Sequence, residues 1–333
     1  METTEKLGAG GAWNGILARL SSIGVSPLNL VFLAILAIVP LFIKDEYILK
    51  LLVSSLLLGT QAMAFDFTTG FINIVNFGFA AFVGLGAYTS ALLAVRLGVS
   101  PWMGIFVGAF AAGLLGFLTG ILTLRLRGIF AAVMAWFVGI TLLEITAGLT
   151  DLTRGTLGLN VPLFLETAEN RPYFYILLPI AIATFVVLRM VTRSHIGLAF
   201  RAIGQNIEAA RASGVNPTKY RVINFTLSCA FAGLLGGFWG HYIGILMPDI
   251  MHTKHTVEVL ALAYIGGRGS IWGGLVAAFI FIPIFEYLKR LMEFRLIIYG
   301  VFLMLVMIFY PGGLADIYRR ILQRIVRSTA SAE

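Results

Sequence analysis

Long apolar runs dominate this chain and restrict what it can fold into. They occupy residues 25–43, 47–65, 79–95, 102–124, 128–149, 172–191, 222–245, 271–288 and 296–311. A helix needs about 20 apolar residues to cross a hydrocarbon core about 30 Å thick, and most of these runs approach that length. The alternating pattern of outer-membrane barrel strands is absent. The runs therefore predict an all-α membrane protein.

The composition agrees with membrane residence. The chain is 59% hydrophobic and 12% charged, which is too apolar for a soluble globule. The net charge of +8 could suggest a nucleic-acid partner, but the basic residues lie in loops and tails beside the apolar runs, where orientation signals are placed. We therefore expect membrane lipid as a partner and no nucleic acid.

The runs predict a polytopic helical bundle of about ten spans, including short or interrupted segments. The count includes residues 256–267, a run too short for a standard span. An N-terminal segment, 1–24, precedes the transmembrane domain, 25–311, and a tail, 312–333, follows it. The first run is not followed by an A-x-A cleavage site, so we expect it to remain as a span.

Basic residues predict the orientation. The loop 192–221 carries five Lys or Arg residues against one acid, and the tail carries four arginines, Arg319, Arg320, Arg324 and Arg327. The positive-inside rule places both segments in the cytoplasm, together with the N-terminus. The acid-rich loop 150–171 then lies outside. Lys289, Arg290 and Arg295 are exceptions to the rule.

Two segments combine glycines with polar residues at membrane depth. FTTGFINIVNFGFAAFVGLGAY (67–88) contains Asn73, Asn76 and Gly78, and AYIGGRGSIWGGL (263–275) contains Gly266 and Gly267. Such segments predict interrupted helices, and paired broken segments in two halves of a chain indicate a transport pathway. We expect these five residues to line that pathway. Close helix packing is the alternative.

Other glycines are spaced for packing. Small residues four apart let helix backbones approach closely. The pairs are Gly104 and Gly108, Gly116 and Gly120, Gly233 and Gly237, and Gly240 and Gly244.

Patterns for catalysis and metal binding are missing. No G-x-x-x-x-G-K-[ST] motif is present, so we expect no ATPase site, no catalytic residue and no cofactor in this chain. His252 and His255 lack the further ligands of a metal site and are expected in a solvated outer loop. Glu144 and His241 lie within apolar runs but form no carboxylate or histidine chain, which disfavours an ion-coupled transporter and a membrane-embedded enzyme. The single cysteine, Cys229, is interpreted as a packing residue.

The stretch RSHIGLAFRAIGQNIEAARASGVN (193–216) is polar and basic between two apolar runs. Residues 205–212 favour a short helix, and Gly214 suits its C-terminal cap. On that helix Glu208 and Arg211 share a face, and Ala209, Ala210 and Ala212 leave a low surface that could enter a groove of another protein. A solvated connecting loop is the alternative.

This stretch resembles the EAA-type coupling loop of bacterial ABC importer permeases, in the form found in branched-chain amino acid permeases of the LivM type. The resemblance rests on Glu208, Ala209 and Ala210 followed by Gly214. Three further stretches resemble the same family in the same order: NFGFAAFVGLGAYTSALL (76–93), LRLRGIFAAVMAW (124–136), and YIGGRGSIWGGLVAA (264–278) with FRLIIYG (294–300).

The resemblance implies a permease subunit in a bacterial inner membrane that takes up branched-chain or related hydrophobic amino acids. Its implied partners are a LivH-type permease, LivG-type and LivF-type ATPase subunits that bind ATP and Mg, and a periplasmic substrate-binding protein. Glu208, Ala209, Ala210, Arg211 and Gly214 would couple the permease to the ATPases. Permeases of this kind also carry urea, short amides or other amino acids, so these cargoes stay open.

Overall fold

A computed structural model describes residues 27–123, 126, 128–167, 169–288, 294–310 and 312–316. Its helices are α1 Pro27–Phe42, α2 Glu46–Thr69, α3 Phe79–Leu97, α4 Pro101–Thr123, α5 Ile129–Gly148, α6 Thr150–Thr153, α7 Asn170–Arg193, α8 His195–Gln205, α9 Ile207–Ala212, α10 Pro217–Ile243, α11 Thr253–Gly266, α12 Trp272–Leu288 and α13 Phe294–Phe309. Two 3-10 turns, Gly155–Leu157 and Pro248–Met251, and two short strands, β1 Leu159–Asn160 and β2 Ile245–Leu246, complete the described elements.

Each predicted apolar run overlaps one helix over most of its length, which confirms the all-α membrane class. Among the described residues, six helices are long and apolar enough to cross a membrane, namely α2, α3, α4, α5, α7 and α10. The total of about ten crossings stays a prediction, as do the three domain boundaries. Residues 1–24 and the four tail arginines lie outside the described residues.

The helix ends follow local capping chemistry. Asp45 accepts a hydrogen bond from the Tyr47 amide at the start of α2 (2.8 Å), and Asn216 precedes Pro217 at the start of α10. Gly98 and Gly244 take left-handed backbone conformations, with φ of 65° and 79°, where α3 and α10 end. These caps explain why these helix ends lie one to five residues away from the limits of the apolar runs.

Helix α10 is the centre of the bundle and packs against α4, α3 and α2. Its glycines allow this closeness: an added Cβ at Gly233 would lie 2.8 Å from the Gly108 carbonyl oxygen, and one at Gly237 would lie 3.1 Å from the Ile105 Cα. The predicted packing role is confirmed for Gly108, Gly233 and Gly237. Gly244 is different, because it ends its helix rather than packing within it.

The two ends of the bundle carry different loops. At one end, β1 pairs with β2 in an antiparallel ladder, Leu159 opposite Leu246, which ties the loop 150–169 to the end of α10. We call this the β end. The other end carries α9, and α10 separates the two ends by about 40 Å, since its 27 residues rise 1.5 Å each. Loops 150–171 and 192–221 therefore lie at opposite ends.

The outward faces of the bundle are apolar. Helix α4 exposes Met103, Phe106 and Phe110, each by about two-thirds of its surface. Such faces suit contact with lipid tails rather than water.

Candidate coupling helix and broken-helix core

Helix α9 is a short helix with strong caps at both ends. The Asn206 side chain accepts hydrogen bonds from the Glu208 and Ala209 amides (3.0 and 3.1 Å). At the other end the Gly214 amide bonds to the Arg211 carbonyl and the Val215 amide to the Ala210 carbonyl, both at 3.0 Å. This pair of bonds is the Schellman motif, and it requires the left-handed φ of 82° that Gly214 adopts. The sequence therefore predicts the role of Gly214 correctly.

The predicted start of this helix is wrong by two residues. Asn206 has an extended backbone, with φ of −156°, and divides the stretch into α8 and α9. An asparagine before a helical segment favours the cap over continuation, because its side chain satisfies the first free amides. Sequence reasoning also missed α8, although its apolar residues Ile196, Ala199, Phe200 and Ile203 lie at helical spacing.

The surface of α9 presents the predicted charged pair. Glu208 and Arg211 are both exposed, and their carboxylate and guanidinium groups are 3.3 Å apart. Ala209 and Ala212 are exposed beside them. Ala210 is instead 3% exposed and faces the bundle, so it anchors α9 rather than adding to the exposed surface.

Helix α8 connects α9 to the first broken segment, residues 70–78. The Phe200 ring packs edge-on against Phe67 at 5.5 Å between centroids, and the Arg201 guanidinium lies 5.6 Å from the centroid of the Phe71 ring. Gly204 lies against the Phe71 carbonyl so closely that an added Cβ would overlap it. Helix α8 is therefore in direct contact with Phe71, at the start of this segment.

The first broken segment interrupts the chain between α2 and α3, as the sequence predicts. Asn73 is exposed with a left-handed φ of 56°. Asn76 is 1% exposed; its side-chain oxygen accepts from the Gly78 amide (3.1 Å), and its amide nitrogen lies 3.8 Å from the Cys229 sulfur. Gly78 packs on α5, where an added Cβ would overlap the Ala135 carbonyl oxygen. The positions of Asn76 and Gly78 favour packing, and a pathway role for them stays a prediction.

The second broken segment, residues 267–271, interrupts the chain between α11 and α12. Gly266 lies against the backbone of Gly273, at the start of α12, without room for a Cβ. Gly267 has φ of 104°, and an added Cβ there would lie 2.5 Å from the Gly312 carbonyl oxygen. The predicted break is confirmed, and the contribution of both glycines to a pathway stays a prediction.

Asp66 joins the two broken segments, and sequence reasoning missed it. Its carboxylate, on α2, accepts hydrogen bonds from the Gly269 amide (2.8 Å) and the Ile271 amide (3.0 Å). The residue is 2% exposed, and Gly70 packs against both the carboxylate and Gly269. A lone acid near the end of an apolar run was the available signal, because buried charges in membranes are costly unless they have a specific partner.

The remaining polar residues of the spans have separate positions. His241 is held at the β end by Ser90 (2.8 Å) and the Pro162 carbonyl (2.7 Å), which is a packing role. Glu144 is exposed on α5, and His252 is exposed at the start of α11. The prediction of a solvated loop is wrong for His255, which is 8% exposed inside α11.

A family model described as a branched-chain amino acid transport system / permease component matches residues 47–311. The match covers the six long helices, both broken segments and α9.

Curated relatives agree with that match. The chain is 26% identical over 321 residues to the high-affinity branched-chain amino acid transport system permease protein LivM of Escherichia coli K12, covering 88% of this chain and 75% of that protein. It is 27% identical over 286 residues to LivM of Salmonella typhimurium, covering 77% and 67%. It is also 26% identical over 260 residues to the nucleoside ABC transporter permease protein NupC of Lactococcus lactis, covering 70% and 80%. No solved structure matches the chain significantly.

Proposed function

The chain belongs to the family of permease components of branched-chain amino acid transport systems, and from this membership we propose that it carries branched-chain or related hydrophobic amino acids. It is a permease of the ABC importer class, like the relatives described above. The observation that carries the proposal is the exposed, capped helix α9, which is joined through α8 to the first broken segment.

The transporter would be assembled from several chains. We propose a LivH-type permease as the second membrane subunit, LivG-type and LivF-type subunits as the ATPases, and a periplasmic protein that delivers the substrate. ATP and Mg would be bound by the ATPases, and this chain would have no ATPase site of its own. Glu208, Ala209, Arg211 and Gly214 would form the docking surface, with Ala210 fixing α9 to the bundle.

The mechanism would be alternating access. Closure of the ATPases on ATP pushes α9, and α8 transmits the displacement to Phe71 because Gly204 leaves no gap between them. The displacement reaches residues 267–271 through the hydrogen bonds of Asp66. Both broken segments then move together, and the path between them opens to the other side of the membrane.

The orientation would place the α9 end in the cytoplasm of a bacterium and the β end outside its inner membrane, with both termini cytoplasmic. Thr156 and Ser213 are exposed at opposite ends of the bundle. Cysteines introduced at these two positions in a Cys229→Ala background should react with an impermeant reagent from opposite sides. Labelling of both from one side would contradict this orientation.

Cargo and energy source are tested together. A deletion strain that expresses this chain with its partners should take up labelled leucine, isoleucine and valine, and ATPase subunits should co-purify with the chain. Urea, short amides and other amino acids are the alternative cargoes, and the similarity to NupC adds nucleosides to the panel. Uptake that persists without ATPase subunits and follows an ion gradient would indicate a secondary transporter instead.

A further inference from the structure

A polar cluster lies inside the bundle at the point where two helices begin. The Ala80 amide, in the first turn of α3, donates a hydrogen bond to the Thr256 hydroxyl, in the first turn of α11 (3.0 Å). Both helices are longer than three turns, and their amino ends carry partial positive charge. The start of α3 lies inside the bundle. Ala80 is 1% exposed, and Gly78, just before α3, packs on the buried face of α5 at Ala135.

Gln61 supplies a second and independent feature of this cluster. Its side chain, on α2, is fully buried, and its carboxamide oxygen lies 2.8 Å from the His255 Nε2 in the first turn of α11. Among the residues that the structure describes, its amide nitrogen has no hydrogen-bond partner. A buried amide without a protein partner is costly, and a bound group that accepts its hydrogen bond would remove that cost.

A carboxylate marks the open side of the cluster. Glu258 lies one turn beyond His255, 3.8 Å from its Nδ1, and its side chain is 41% exposed. Ionisable groups within spans face a wet cavity or a partner rather than lipid. The Trp239 ring lies 4.7 Å from the His255 ring and gives the cluster an apolar wall.

We propose that these residues form a binding site for the head group of a zwitterionic amino acid. The Gln61 amide can donate a hydrogen bond to a carboxylate, and the positive amino ends of α3 and α11 attract it through their dipoles, since their first amides already have partners. The Glu258 carboxylate suits an ammonium group, and Trp239 suits an aliphatic side chain. This site rests on the proposed function. It assigns the contacts with the substrate to residues other than the predicted pathway glycines. A site with a donor side and an acceptor side distinguishes a zwitterionic amino acid from cargo without charged groups and from single ions.

The test uses the complete transporter, purified through a tag on this chain and reconstituted with its substrate-binding protein. Labelled L-leucine is the probe, and ATP hydrolysis is measured on the same vesicles. Glu258→Gln should reduce leucine uptake about tenfold, because a charge-assisted hydrogen bond is lost, while complex yield and ATP hydrolysis persist. Glu258→Asp should restore part of the uptake.

Glu144→Gln is the matched control. It removes another exposed carboxylate from a span, on α5 and outside the cluster, and should leave uptake unchanged. Gln61→Leu, which removes the unpartnered amide, should also reduce uptake without loss of complex. Normal uptake in both Glu258→Gln and Gln61→Leu would overturn the site, as would parallel loss of uptake and complex in both. Absence of leucine uptake in the unaltered transporter would instead contradict the proposed function.

Discussion

Residues 70–78 and 267–271 both interrupt a helix with glycines, but the bundle holds them by different means. The first segment is fixed by backbone packing, with Gly78 against Ala135 and Gly204 against Phe71. The second is also packed on backbone, with Gly267 against Gly312, but in addition two of its amides donate hydrogen bonds to Asp66, a side chain of another helix. Packed backbones resist any change of shape, whereas two hydrogen bonds can be broken and formed again. The first segment therefore suits a rigid element that moves as a unit, and the hydrogen-bonded contact of the second suits a joint that can be released and formed again.

The largest effect is expected at Gly78. Gly78→Val would force a side chain into the Ala135 carbonyl oxygen, at a cost on the order of 3 kcal/mol or more because backbone must shift. The amount of assembled complex in the membrane should fall together with uptake. Gly148→Val is the control, since no heavy atom lies within 4 Å of a Cβ there. Normal complex with low uptake would instead assign Gly78 to the pathway.

The next effect is expected at Asp66. Asp66→Ala leaves the Gly269 and Ile271 amides without their acceptor, at a cost on the order of 1–3 kcal/mol each. Uptake should be lost while ATP hydrolysis continues, because the second segment no longer follows the first. Asp66→Asn keeps one acceptor and should be intermediate. Asp151→Ala, which removes an exposed carboxylate at the β end, serves as the control. Unchanged uptake in Asp66→Ala would remove the distinction between the segments.

A smaller effect is expected at Gly214. Gly214→Ala places a side chain in a left-handed conformation, which costs about 1–2 kcal/mol, although the space around it is open. The cap of α9 should loosen and uptake per ATP hydrolysed should fall. Gly98→Ala gives the same strain in equally open space at the β end. Equal uptake by the two variants would show that the α9 cap has no special role in coupling.

The smallest effect on the chain itself is expected at Glu208. The exposed ion pair with Arg211 contributes about 0.5 kcal/mol or less to stability. The Glu208→Lys chain should therefore assemble normally with the second permease. The reversed charge should weaken binding of the ATPase subunits, measured by their recovery with the tagged chain in low and high salt. Recovery equal to that of the unaltered chain would place the docking contact elsewhere.

The sequence predicts the features of this fold that depend on local pattern. Apolar runs locate the helices, and glycine with asparagine locates both breaks. The capping role of Gly214 follows from its place after a short helical stretch. The sequence does not predict features that depend on contacts between distant residues. The pairs Asp66 with Gly269 and Gln61 with His255 are each about 200 positions apart. His255 shows the same limit, because only the bundle reveals that α11 is buried.

The central claim is that α9 acts on residues 267–271 through Phe71 and Asp66. A cysteine at Arg268, in a Cys229→Ala background, would report this directly through its rate of labelling in the reconstituted transporter. Trapping the ATPases with ATP and vanadate should change this rate, and Asp66→Ala should abolish the change while trapping still occurs. An equal response to trapping with and without the Asp66 carboxylate would contradict the account.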